Sequence, residues 1–161
     1  MIRQINISVS TQTLRGFDDT QELVFERLIA SAKNGLGQEM GSECTPTGEH
    51  RLRAKIGAGL PSDTVFVGRR PTGEVYSNEL AEAFPKRDWI LTRILWLCGN
   101  DVGHNRGGLV DTQRRYIYIH GAPDSHAMGV PSSHGCIKIR NDDMIALFDQ
   151  VEIGTQVFIE D

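Results

Sequence analysis

The feature that most constrains this chain is its punctuation: apolar runs are short and are closed again and again by glycine or proline, with 17 Gly and 6 Pro in 161 residues. Such a chain builds strands and turns more readily than long helices. Ile5, Ile7 and Val9 alternate with Asn6, Ser8 and Ser10, the period of a strand with one buried face. After a turn at Gly16–Thr20, Leu23, Phe25 and Ile29 continue an odd-numbered alternation, so a strand is expected there. Leu23, Val24, Leu28 and Ile29 also share a helical side, which leaves a helix open. Asn34-Gly35-Leu36-Gly37 and Gly41-Ser42 mark a loop. Thr45-Pro46-Thr47-Gly48 follows as a turn in which Pro46 fixes φ and Gly48 can take positive φ.

Short strand-like runs follow around Leu52 and Ile56 and over 64–68, then a short helix over 77–84 ended by Pro85. Trp89–Cys98 is the most hydrophobic run; its β-branched and aromatic residues favour a buried strand, while its length leaves a helix open. The polar, Gly/Asn-rich stretch 99–111 is too long for a simple hairpin turn and is expected to be mobile or functional. Arg115–Ile119 reads as a strand ending at His120. Asn141 is placed to cap a helix whose Met144, Ile145, Leu147, Phe148 and Val151 fall at helical spacing, and Thr155–Ile159 reads as a closing strand. The sum is a single, mainly β domain over residues 1–161 with one amphipathic helix near its C-terminus.

Composition narrows the function. A net charge of -4 and a pI near 5.7 give no electrostatic reason to expect nucleic acid or an anionic membrane as partner. Cys44, Cys98 and Cys136 form an odd set without framework spacing, so a free thiol and a reducing compartment are expected. The N-terminal residues carry no apolar signal-like region, and no run approaches the roughly 18 apolar residues of a membrane span. The expectation is a cytoplasmic protein, or a periplasmic one if a signal peptide has been removed.

One stretch concentrates chemistry. A strand-like run delivers His120-Gly121, a Gly/Pro/Ser-rich loop follows, and the chain returns at Ser133-His134-Gly135-Cys136. A free thiol, with a pKa of about 8.5, is only a few per cent thiolate at neutral pH, so a cysteine nucleophile calls for a nearby imidazole. His134 sits beside Cys136 in what reads as a tight turn, whereas His120 can approach from outside it. His120 is therefore assigned as base, His134 as a structural or substrate-facing residue, and the Gly121 carbonyl as the group that orients the imidazole. Gly135, lacking a side chain, is expected to let the Gly135 and Cys136 amides converge as an oxyanion hole. A zinc site of His104, His120, His134 and Cys136 is the alternative, though its ligands lack paired short spacings.

With these residues the chain resembles the L,D-transpeptidase catalytic domain (YkuD) family, whose signature is His-Gly, a loop, then Ser/Thr-His-Gly-Cys. The resemblance extends to Thr45-Pro46-Thr47-Gly48, Asn105-Arg106-Gly107-Gly108 and Gly154-Thr155-x-Val157, and departs at Lys138, where many members carry Arg or Asn. It implies a β-sandwich or barrel of mixed strands with a helix alongside, and no cofactor. It also implies attack by the cysteine on the bond between meso-diaminopimelate and D-Ala in a murein stem tetrapeptide, leaving a thioester that carbapenems can mimic covalently. Water as acceptor gives an L,D-carboxypeptidase of cell-wall recycling, the reading favoured by the expected cytoplasmic location. An amine acceptor gives a 3-3 cross-link, and a silent wall-peptide-binding module is a third reading. For the substrate carboxylates, Arg106, Arg115 and Lys138 are the expected cations, with Ser133 as a further contact.

Overall fold

The computed structural model describes residues 1–161. Ten strands form one curled mixed sheet: β1 (Gln4–Ser8), β2 (Thr13–Phe17), β3 (Leu23–Leu28), β4 (Gly48–Ile56), β5 (Thr64–Val67), β6 (Arg70–Val75), β7 (Ile90–Gly99), β8 (Tyr118–Ala122), β9 (Ile137–Arg140) and β10 (Gln156–Glu160). Two helices, α1 (Asn78–Ala83) and α2 (Asn141–Gln150), complete it. The order is β3-β2-β1-β10-β4-β7-β5-β6, and β8 and β9 continue from β7 as a second branch. The pairs β1·β10 and β8·β9 are parallel and the remaining ladders antiparallel. The mainly β architecture with a late helix is the one expected.

Alternation explains which face is buried. Ile5 and Ile7 of β1, Val157 and Ile159 of β10, Leu95 and Leu97 of β7 and Ile137 and Ile139 of β9 point to one core. Met144, Leu147, Phe148 and Val151, at helical spacing, close over them. Each such side chain, fully buried, contributes roughly 1.5–3 kcal/mol. Both ambiguous runs are strands: 23–28 pairs with β2, and 90–99 lies between β4 and both β5 and β8. No helix is long and apolar enough to cross a membrane.

Several expectations change. Gly16 does not turn the chain; it lies inside β2, where an added Cβ would sit 2.8 Å from Ile2 Cδ1 and 3.1 Å from Phe25 Cβ. Strand β6 carries no alternation and β9, with Ile137 and Ile139 alternating with Lys138 and Arg140, is only four residues long; neither is among the strands expected. The segment Arg115–Tyr116 is a turn, with Tyr116 at φ 57°, so β8 begins only at Tyr118 and runs past His120 to Ala122. The 99–111 stretch is pinned by buried Asn105, whose Nδ2 donates to the Thr47 and Glu49 carbonyls and whose Oδ1 accepts from Asp101 N.

Asn141 does not cap α2 with its side chain; Arg140 holds the N-cap position without a side-chain bond. Asn141 instead turns into the core. Its Nδ2 donates to Ala122 O (2.9 Å) and Asp63 Oδ1 (3.0 Å), and its Oδ1 accepts from Thr92 Oγ1. Asp63 N in turn donates to Thr92 Oγ1 (3.0 Å), closing a ring through three residues. Thr92 sits in a bulge of β7 at φ 74°, a conformation rare for a β-branched residue and held here by the ring. The bulge faces Gly121, whose missing Cβ leaves the space that Asn141 Oδ1, Leu91 O and Thr92 occupy.

Candidate functional site

The parallel pairing of β8 with β9 sets His120 beside Lys138, and the tight turn before β9 presents Cys136. Thr45 Oγ1 donates to Gly135 O (3.0 Å) and accepts from Ala32 N (2.9 Å), so the Thr45-Pro46 turn holds this one from below. Ser133 Oγ donates to Cys136 O and accepts from Gly135 N. Ser133 is 3% exposed. Its hydroxyl is thus a staple of the turn, and the residue, expected as a substrate contact, also lines the pocket around Cys136.

Gly135 takes φ 134°, open to glycine alone, and an added Cβ would press on Ile117 Cδ1 (3.1 Å) and Cys44 O (3.3 Å). Its N–H is spent on Ser133, which corrects the expected pair of oxyanion donors. The Cys136 amide makes no hydrogen bond within the protein and remains available.

Cys136 Sγ accepts from Tyr118 N (3.3 Å) and faces Tyr116 O (3.4 Å). Burial pushes the thiol up to about 12; Asp88 adds to this, while the Tyr118 amide, Arg115 and Lys138 act in the opposite sense. His120 is 1% exposed, and its Nδ1–H donates to Gly121 O at 2.7 Å. That bond leaves Nε2 as the basic nitrogen. Burial holds the imidazole below its ordinary value, with the Gly121 bond and Asp88 opposing and Lys138 and His126 reinforcing. The resting pair is therefore thiol and neutral imidazole. Both line one pocket of about 390 Å³ with Arg69, Asp88, Tyr118 and His134. His134 itself is exposed and stands 3.9 Å from the Asp88 carboxylate.

A second recess of about 710 Å³ shares Asp88 and His134 with the first and is lined by Trp89, His126, Ser132 and Lys138. Lys138, 6% exposed, donates to Ser132 Oγ and meets His126 Nδ1, each at 3.3 Å, and has no carboxylate partner; burial lowers its pKa. The other two expected cations are placed differently. Arg115 borders the first pocket, but its two terminal nitrogens donate to the carbonyls of Gly37, Gln38 and Cys44 and to Ser42 Oγ, pinning that loop. Arg106 is exposed on the 99–111 stretch, which Asn105 ties to β4, and it lines neither recess. Of the two, only Arg115 is brought to the pocket by the fold. His104 donates to or accepts from Thr47 Oγ1 (3.1 Å), outside the Cys136 pocket, and no three His, Cys, Asp or Glu side chains are grouped to hold a metal ion.

The residue overlooked in the sequence is Arg69. Val67 pairs with Arg70, so Gly68-Arg69 form a two-residue hairpin loop with φ 57° and 67°, the geometry of a type I′ turn. Arg69 Nη1 donates to Tyr118 Oη (3.0 Å), and the guanidinium lies over the rings of Tyr116 (4.4 Å) and Trp96 (5.1 Å). The only signal was the Gly-Arg pair directly after the short apolar run Thr64–Val67.

Comparison with known proteins agrees with this geometry. The family model of the L,D-transpeptidase catalytic domain (YkuD) matches residues 2–159. The probable L,D-transpeptidase ErfK/SrfK of Salmonella typhimurium is 47% identical over 47 residues, covering 29% of this chain and 15% of that protein. The putative L,D-transpeptidase YqjB of Bacillus subtilis is 38% identical over 50 residues, covering 31% of this chain and 28% of that protein. The chain thus spans well under two thirds of these curated relatives. Among solved structures, L,D-transpeptidase 3 from Mycobacterium tuberculosis, in complex with a faropenem-derived adduct, superposes with TM-score 0.60 at 16% identity over 98% of this chain and 60% of that one. An Enterococcus faecium L,D-transpeptidase gives TM-score 0.58 at 18% identity over 99% and 50%. These two likenesses carry the fold, and the family model carries the rest: the chain belongs to the L,D-transpeptidase catalytic domain family of cysteine-dependent enzymes.

Proposed function

We propose that the protein is an L,D-carboxypeptidase that releases the terminal D-Ala from murein tetrapeptides. The observation that carries this reading is the pairing, in one pocket, of the Cys136 thiol with an imidazole whose Nδ1 is committed to the Gly121 carbonyl. His120 Nε2 takes the thiol proton as Sγ bonds to the diaminopimelate carbonyl carbon, and the Cys136 amide faces the oxygen that becomes negative. The C–N bond then breaks, the D-Ala amine leaves with the proton from His120, and a thioester remains. Water attacks next, giving one proton to His120; the C–S bond breaks and the thiol is re-formed. Lys138, which lines the adjoining recess together with His134, is the proposed partner of the D-Ala carboxylate.

What supports water as acceptor is the burial of His120, the group that takes the acceptor's proton: at 1% exposure it is reached more readily by a small molecule than by a second stem peptide. A specific observation favours the amine as a second reading, because the groove continues past His134 into the larger recess. Incubating purified tetrapeptide with and without an amine acceptor and weighing the products decides between them. A tripeptide in both samples supports hydrolysis, and a dimer formed with the amine replaces it by transpeptidation. Cys136→Ala is expected to abolish D-Ala release, at least 1000-fold, while leaving the circular dichroism unchanged. A carbapenem is expected to add its mass to the wild-type chain and not to that variant; no adduct on either would point to a silent binding module. The setting proposed is cell-wall recycling in the cytoplasm, and recovery of the protein in a periplasmic fraction would contradict it.

A further inference from the structure

Arg69 is a cation with no anion. It lines the pocket of Cys136 and His120, and no carboxylate of the protein pairs with it. Its position is nevertheless built in detail. The backbone is held in the left-handed region at φ 67°, two aromatic faces lie under the guanidinium, and Tyr118 Oη accepts from Nη1. Exposed arginines without a purpose are not usually restrained from three sides. The restraint leaves Nε, Nη2 and the second Nη1 hydrogen free, a fork that matches a planar carboxylate.

Tyr118 also measures the distance from this fork to the nucleophile. Its amide N–H points at Cys136 Sγ (3.3 Å) and its hydroxyl at Arg69 Nη1 (3.0 Å), so the two groups are separated by one tyrosine with a hydrogen bond at either end. From covalent geometry, a tyrosine spans roughly 7 Å from amide nitrogen to hydroxyl, and a diaminopimelate side chain spans about the same from its reacting carbonyl carbon to its distal carboxylate. The pocket that holds both groups is also lined by Ile90, Ile117 and Tyr118, which supply apolar surface for the methylenes of that side chain. We infer that Arg69 binds the distal carboxylate of the donor's diamino acid and so selects diaminopimelate stems over lysine stems, which differ at that position by this carboxylate. The inference rests on the proposed attack at the third residue of the stem.

The test compares tetrapeptides carrying diaminopimelate or lysine at position three. Wild-type kcat/KM is expected to favour diaminopimelate by about 10- to 100-fold, the range of a charge-assisted fork. In Arg69→Gln the ratio should fall toward one. Glutamine is chosen because this chain already places Gln12 and Gln21 at positive φ. Tyr118→Phe, which removes only the hydroxyl that steadies the guanidinium, should lower the ratio by a smaller factor. The same ratios are read as Kd in a Cys136→Ala background by calorimetry, where no turnover is required. If D-Ala release fails but the binding preference is present and lost in Arg69→Gln, the catalytic reading falls and this one stands. A diaminopimelate-to-lysine binding ratio that Arg69→Gln leaves unchanged, or a wild type that binds both equally, overturns it.

Discussion

His120 is 1% exposed, and its burial acts on the reaction through pH. A base is lost when it is protonated, and burial holds this imidazole below the ordinary histidine value of 6.5. The acid limb of the kcat/KM profile should therefore lie below pH 6.5. Because the thiol is held up to about 12, no alkaline activation from free thiolate is expected between pH 7 and 9. A pH–rate profile with tetrapeptide checks both; activity rising steeply between pH 7 and 9 would mean that the nucleophile ionises without His120. Cys136, His120 and Gly121 were legible in the sequence because their chemistry is local, each lying in or next to one motif. Arg69 was not, since its meaning comes from Tyr116, Tyr118 and Trp96 on other parts of the chain. Arg106 shows the converse, a residue inside a recognised motif that folding turns toward solvent.

Among the elements, β8 carries His120 and α2 supports β8. The ring of Asp63, Thr92 and Asn141 joins a loop, a bulged strand and the start of a helix, and it grips Ala122 one residue beyond the Gly121 carbonyl that orients His120. Asn141→Ala leaves the Thr92 hydroxyl and the Ala122 carbonyl without their buried partner. A loss of about 2–4 kcal/mol in urea unfolding is expected. Asn141→Asp keeps the acceptor for Thr92 but loses both donors and sets a carboxylate against Asp63, so it should not rescue. Equal stability of Asn141→Ala and wild type would mean that the ring is incidental. Asn141 looked like a helix cap in the sequence because caps are defined by local spacing. That its side chain faces inward depends on the Thr92 bulge, which no local pattern announces. Strands β6 and β9 were missed for other reasons: Pro71 and Gly73 break any alternation in one, while the other, although Ile137 and Ile139 alternate with Lys138 and Arg140, is only four residues long and runs straight into α2.

For the molecule as a whole, buried His50 links the sheet to the segment that follows β7. Its Nδ1 bonds Gly48 O and its Nε2 bonds Thr112 Oγ1, each at 3.0 Å. Burial lowers its pKa to about 4, with the Gly48 bond opposing and His104 reinforcing. Above pH 6.5 the residue is neutral in both folded and unfolded chains and contributes no slope. Between 6.5 and about 4 the unfolded chain binds the proton and the folded one does not, so stability falls with pH, by up to about 3 kcal/mol. Urea midpoints measured at pH 7, 5.5 and 4.5 should decline, and His50→Gln should flatten the decline; identical slopes would assign it to other groups. The mainly β class was readable from turn residues and alternation alone. The strand order was not, because it is decided by pairings between residues far apart in the chain.

The last strand, β10, lies in the middle of the sheet, parallel to β1 on one side and antiparallel to β4 on the other. Residues 1–155 hold Cys136, His120 and α2, yet without β10 the edges of β1 and β4 have no strand between them. Loss of residues 156–160 would therefore remove both central ladders and leave the β3-β2-β1 meander tied to the strands of the site chiefly through the bridges Ala30–Lys138 and Ala32–Ser133.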